Sequence, residues 1–334
     1  MHFDGKLAAL VGEVESRLQG FVDALDFGHS AELKRMLCYH MGWADDTGSG
    51  KRLRPALTLL SAGACGGDAA AAMPAALGVE LLHNFTLIHD DIQDGSPMRH
   101  GRQTLWTRWG VAQAINAGDA LFSIAQLALL GLSETCSEAA ALRAAREMNE
   151  VCLRLTKGQY LDMAFETDET IDLARYLAMI GGKTAALIAY CTAMGGLAAG
   201  SDETTIARLA DYGESLGMAF QIQDDYLGIW GDPAVTGKSA ASDLLARKKT
   251  LPVLFGLRES GDFRQLWQVD RPSPGEITAM AGLLEACGAA AYTRVQAEDY
   301  TQRAFDDLAH LFPDGNADAD ALAALTGKLL HRAV

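Results

Sequence analysis

The stretch NFTLIHDDIQDGSPMRH, residues 84–100, decides how this chain is read. A mostly apolar run leads straight into three aspartates, Asp90, Asp91 and Asp94, followed by Arg99 and His100. On an α-helix Asp90 and Asp94 share a face about 6 Å apart along the axis, with Asp91 about 100° round from Asp90. Three carboxylates so close together repel and destabilise a helix unless a cation sits among them. Hard divalent ions such as Mg2+ prefer oxygen ligands of this kind. A single acidic helix end is also commonplace on a solvated surface, so the reading turns on whether the pattern recurs.

It does recur. FQIQDDYLGIWGD, residues 220–232, places Asp224 and Asp225 at the end of a second apolar helix, with Gln221 one turn earlier. Two such ends facing one another across a helix-bundle cavity are the arrangement from which bundles build metal sites. Basic residues supply the other half: Lys51, Arg52 and Arg54 in GKRLRP, Lys183 beside Thr184 in GGKTAALIAY, and Lys238, Lys248 and Lys249 in TGKSAASDLLARKKT. Together these residues describe a polyanion held partly by metal and partly by Lys and Arg. A phosphate oxygen about 4 Å from one carboxylate costs roughly 4 kcal/mol at an effective dielectric near 20, so five acids cannot face a diphosphate unaided. Bridging cations reverse that sign and stabilise charge on a departing diphosphate.

Composition sets the frame for this chemistry. The 334 residues are 49% hydrophobic and 21% charged, enough to bury a large core. A net charge of -15 argues against general nucleic-acid binding, which needs a dense basic surface. The six cysteines lie in apolar settings without CxxC spacing and read as reduced core thiols. The N-terminus carries acids within an amphipathic pattern, unlike a signal peptide. Residues 184–201 form the longest uncharged run, whose Gly, Thr, Ser and Tyr content fits a buried helix better than a membrane span. The expectation is a cytoplasmic protein without a stable membrane anchor.

Only 8 prolines are present, and apolar residues recur at helical spacing over 6–25, 53–64, 74–92, 111–133, 139–164, 171–199, 203–227 and 276–311. Gly, Pro and Asp clusters punctuate these segments, with no repeat and no interdomain linker. A single all-α domain spanning residues 1–334 is the economical expectation.

From about Gly50 to Thr250 the motifs GKRLRP, ELLHNFTLIHDDIQD, MRHGRQT, INAGDAL, KGQYLDM, GGKT, FQIQDD and GDPAVTGK...DLLARKKT occur in the order of a known family. The chain resembles the trans-isoprenyl diphosphate synthases, or polyprenyl synthetases, and within them the short-chain geranylgeranyl and farnesyl diphosphate synthases. The resemblance implies an antiparallel helix bundle around a deep central cavity (the isoprenoid synthase type), three Mg2+ ions and a homodimer. It also implies a reaction joining isopentenyl diphosphate to an allylic diphosphate head to tail.

Carried over residue by residue, Asp90, Asp91 and Asp94 look like the first metal motif, and Asp224 and Asp225 like the core of the second. Arg99, Lys183 and Lys238 are similar to the allylic diphosphate ligands, while Lys51, Arg54 and His83 match the isopentenyl diphosphate pocket. Gln221 matches a position near the allylic diphosphate and metal site, and Thr184 one that shields the developing allylic cation. The chain departs from the family twice. His100 stands where the second of two paired arginines is usual, which touches isopentenyl diphosphate binding, and Gly228 stands where the second motif often ends in Asp. By helix rise, Thr86 and Phe85 lie about 6 and 7.5 Å below Asp90, where a prenyl tail would run. In similar synthases an aromatic at the position of Phe85 implies a C20 product, with C15 next. Two other readings stand beside elongation: a terpene synthase-like enzyme that ionises an allylic diphosphate without isopentenyl diphosphate, and a non-catalytic partner subunit.

Overall fold

The computed structural model describes residues 3–44, 50–232 and 241–330. They are almost entirely helical, as the periodicity predicts, apart from one two-stranded hairpin. The chain begins with α1 (Phe3–Ala24), α2 (Ala31–Met41), α3 (Leu53–Ala64) and α4 (Ala69–Gln93). The hairpin β1 (Met98–Arg99) and β2 (Arg102–Gln103) precedes α5 (Leu105–Trp109), α6 (Val111–Leu130), α7 (Leu132–Thr135) and α8 (Glu138–Phe165). Next come α9 (Leu173–Ile180), a π-helical turn Gly181–Ala185, α10 (Ala186–Ala198) and α11 (Glu203–Trp230). The short α12 (Ser242–Leu245) leads to α13 (Leu251–Glu259), α14 (Gly261–Trp267), α15 (Pro274–Ala286), α16 (Ala289–Leu311) and α17 (Ala317–Leu330). Two compact units result: Met1–Glu150 with Tyr190–Ala210 and Asp314–Leu322, and Val151–Ala189 with Asp211–Pro313 and Ala323–Val334.

In the first unit α4 packs between α3 and α6. Its start is set by Asp68, whose side chain accepts the Ala70 N–H, and its end by Gly95 in a left-handed conformation (φ 60°). Ala75, Ala76, Val79, Leu81 and Leu82 are fully buried, so this helix is a core element. Burying a Val or Leu side chain contributes about 1.5–3 kcal/mol, which explains the mostly apolar character before the acids. Arg52, 4% exposed at the N-cap of α3 with φ 46°, is a charge buried in this core together with Glu80 of α4. Its guanidinium pairs with Glu15 at 2.7 Å and Glu80 at 2.7 Å and donates to the Met41 carbonyl at 3.0 Å.

In the second unit Val253, Phe263, Met280 and Leu284 form one buried cluster, and Tyr176, Ile180, Ile222 and Leu251 another. The periodic run over 276–311 is two helices, α15 and α16, because Gly288 adopts φ 87° and ends the first. The segments Ala69–Gln93, Val111–Thr135 and Leu173–Ala198 are long and apolar enough to cross a membrane by length and composition. The apolar windows of the first and third are 67% and 72% buried within the protein, in line with the buried-helix reading of 184–201.

Candidate active site

The first acid motif lies at the C-terminal end of α4, with Asp94 at its C-cap, and its three carboxylates differ in burial. Asp91 is 2% exposed and accepts the Arg99 Nε–H at 2.8 Å, while Asp90 is half-buried and Asp94 exposed. Burial raises the Asp91 carboxyl above its ordinary value, and the Arg99 charge opposes that rise. The hairpin that presents Arg99 turns on His100 and Gly101, with φ of 49° and 76°, the pair of positive values a two-residue I′ loop requires. Histidine is among the non-glycine residues that tolerate this region, so residue 100 answers to turn geometry as well as to ligand chemistry. Burial together with Arg99, Arg102 and Lys51 lowers the His100 pKa. The Arg102 guanidinium donates to the Tyr39 and His40 carbonyls at 2.8 and 3.4 Å.

Behind the hairpin lie two more histidines in a cationic setting. Arg54 Nη1 stands 3.0 Å from His83 Nε2; arginine can only donate, so His83 accepts. Burial and the charge of Arg54 hold His83 well below its ordinary value. Burial, with Arg99, Arg102 and Arg52, pushes His40 down to about 3. Between pH 3 and 6.5 the unfolded chain therefore takes a proton at His40 that the folded chain refuses, and stability present above pH 6.5 is lost on acidification. The slope from this residue is about 1.4 kcal/mol per pH unit. Urea unfolding of His40→Gln is expected to show about 1 kcal/mol less loss than the wild type between pH 7 and 5.5. Equal losses would contradict a neutral buried His40.

Phe85 packs its ring 5.2 Å from that of Phe122 on α6 and 4.8 Å from His89. A Cβ at Gly118 would overlap the His89 ring, so α4 and α6 approach closely here. The smaller Thr86 bonds back to the His83 carbonyl at 2.7 Å.

The second acid motif lies on α11, in the other unit. Asp224 is half-buried, whereas Asp225 is 4% exposed and turned inward. Its Oδ2 accepts the Tyr176 hydroxyl at 2.5 Å and the Leu251 N–H at 3.1 Å, and its Oδ1 accepts Gln221 Nε2 at 3.0 Å. Burial raises its pKa to about 7, against the lowering effect of those donors. Thr184 extends the chain by donating to Gln221 Oε1 at 2.8 Å. Lys183 pairs with Asp162 of α8, within the KGQYLDM motif. Both Lys183 and Thr184 sit in the π-helical turn, which a side chain at Gly158 would push away by overlapping the Lys183 backbone.

The structure thus joins Thr184, Gln221 and Asp225 in one network and groups Lys51, Arg99 and His100 around the hairpin. Asp91 and Asp225 were expected among the metal ligands; both are engaged by protein donors within their own units. Lys238 lies outside the described residues. Tyr176 and Asp162 were missed, since neither adjoins an acid motif in sequence. Among the described residues no three His, Cys, Asp or Glu side chains are grouped to hold a metal by themselves.

Residues 37–282 match the polyprenyl synthetase family. The chain belongs to that family. This polyprenyl synthetase is 45% identical over 253 residues to a geranylgeranyl diphosphate synthase of Mycobacterium tuberculosis, covering 74% of the chain and 71% of the relative. It is 39% identical over 312 residues to a (2E,6E)-farnesyl diphosphate synthase of Mycobacterium bovis, covering 89% and 85%. Among solved structures it resembles a polyprenyl synthetase from Streptomyces coelicolor A3(2), with TM-score 0.84, 36% identity and 95% and 96% of the two chains covered. A polyprenyl synthase from Caulobacter crescentus CB15, solved in complex with calcium and isoprenyl diphosphate, gives TM-score 0.81 at 30% identity, covering 98% of each chain. The fold is of the isoprenoid synthase type, and the protein is a polyprenyl diphosphate synthase, an enzyme that transfers prenyl groups.

Proposed function

We propose that this synthase condenses isopentenyl diphosphate with allylic diphosphates of five, ten or fifteen carbons, with Mg2+ as its cofactor and geranylgeranyl diphosphate as its product. The observation that carries the reading is that each acid motif comes with a cation held in readiness by a carboxylate: Arg99 on Asp91, and Lys183 on Asp162. Asp90, Asp94 and Asp224 are the carboxylates assigned to metal, three ions being the family's usual number. Bound Mg2+ supplies Lewis-acid stabilisation of the departing diphosphate. Arg99, Lys183 and Lys238 take diphosphate oxygens on the allylic side, while the Thr184–Gln221–Asp225 network fixes the polar groups beside them. Lys51, Arg54 and neutral His83 receive isopentenyl diphosphate. The allylic C–O bond breaks with its electrons leaving on diphosphate, the isopentenyl double bond forms the new C–C bond, and a proton passes to the released diphosphate.

Product length rests on the Phe85–Phe122 pair. Farnesyl diphosphate is the next product in line, and relatives of both kinds leave the choice to experiment. Phe85→Ala is expected to shift the product at least one five-carbon unit longer, read by chromatography after dephosphorylation. An unchanged product distribution would remove Phe85 as the stop. His100→Arg adds a permanent charge beside Lys51 and Arg99, and the apparent KM for isopentenyl diphosphate should fall about three- to tenfold. An unchanged KM would take residue 100 out of that pocket.

The remaining assignments follow the family reading. We take the whole chain as one catalytic domain, since the family match crosses both compact units. A homodimer is supported by Val111, Ile115, Leu127 and Leu130, large apolar side chains exposed along α6. A cytoplasmic setting agrees with six free cysteines.

A further inference from the structure

The two acid motifs of this chain differ at one position. In the first, Asp94 follows Asp90 by one helical turn; in the second, the corresponding place after Asp224 is Gly228. That glycine leaves room for a neighbour, because a Cβ there would overlap the carboxylate of Asp243, whose Oδ1 would lie only 2.9 Å away. Asp243 belongs to α12, and it is 8% exposed despite its charge. The carboxylate therefore rests on α11 at the turn below Asp224, where a side chain at 228 would otherwise begin. It is close enough for its charge to act on both Asp225 and Tyr176. Ser242 reinforces the seat, its hydroxyl lying 3.3 Å from the Gly228 carbonyl.

We propose that Asp243 carries the third carboxylate of the second acid motif, delivered to α11 at Gly228 from α12, and acts as a positioning residue for Asp224 and Asp225. Its backbone carbonyl accepts the Lys248 N–H at 2.9 Å, closing the turn that leads to Leu251, whose own N–H holds Asp225. The carboxylate at Gly228 thus fixes one end of a path that runs through Asp225 to Gln221 and Thr184. Charge that leaves the helix at position 228 returns to it from fifteen residues downstream. The inference rests on the reading that the acid motifs bind diphosphate through a divalent cation.

Calorimetric binding of inorganic diphosphate in Mg2+ to the full chain tests it, with kcat and KM for the allylic substrate measured alongside. Asp243→Asn keeps the shape and removes the charge; it is expected to weaken Mg2+-dependent binding by about tenfold with an unfolding midpoint near the wild type. The exchange Gly228→Asp with Asp243→Gly returns a carboxylate from the helix itself and should recover binding to within about threefold. Wild-type binding in Asp243→Asn, or a folded exchange variant no tighter than Asp243→Gly alone, would overturn the proposal. If the exchange variant does not fold, Gly228→Ala decides: it leaves every charge in place and displaces the carboxylate, so wild-type binding there overturns the proposal as well. Absence of Mg2+-dependent diphosphate binding in the wild type would instead defeat the underlying reading of the acid motifs.

Discussion

Asp224→Ala is expected to lower kcat/KM for the allylic diphosphate by about a thousandfold, roughly 4 kcal/mol of transition-state stabilisation. The accompanying loss of stability should be smaller than that of its neighbour, because Asp224 is half-buried where Asp225 is buried. Its neighbour should behave differently. Asp225→Ala strips the acceptor from the Tyr176 hydroxyl, the Leu251 N–H and the Gln221 amide in a site that is 4% exposed. Each donor left unpaired in a buried place costs about 1–3 kcal/mol, so stability falls along with activity. Steady-state kinetics and urea unfolding on the same two proteins separate the roles. Equal loss of stability in both variants would contradict the division of the motif into an outward and an inward acid.

Arg52→Ala is expected to destabilise the fold by about 3 kcal/mol, because it leaves Glu80 buried without its counter-charge, with only the Asn84 amide still donating to it. The size follows from burial rather than from the ion pair as such. Arg52→Ala combined with Glu80→Leu removes the stranded charge and should regain a substantial part of the loss. Denaturant midpoints read both effects, and a loss below about 1 kcal/mol for the single variant would show that water reaches the pair.

The long helices were legible because their apolar residues recur at helical spacing over many turns, as in α4, α8 and α11. α2 was not, since Lys34, Arg35 and His40 interrupt its apolar face and tertiary packing of Met36, Leu37 and Met41 completes it. The hairpin strands have two residues each, too few for alternation to register, and its turn uses His100 where glycine or asparagine would have announced it. At the site, residue types and spacing identified the acids and cations but not the direction of each side chain. Asp225 faces inward because Tyr176, 49 residues away, and Leu251 donate to it, and no local pattern records such a contact. The same holds for Gly228, whose missing side chain reads as a loss until Asp243 is seen resting against it.

The central claim is chain elongation dependent on a divalent cation. It is tested most directly by incubating the purified protein with Mg2+ and a fifteen-carbon allylic diphosphate, with and without labelled isopentenyl diphosphate, and sizing the products. Label is predicted to appear in a twenty-carbon product only when isopentenyl diphosphate is supplied, and to disappear when the metal is chelated. Hydrocarbon or alcohol formed without isopentenyl diphosphate, or elongation that survives chelation, would contradict the account.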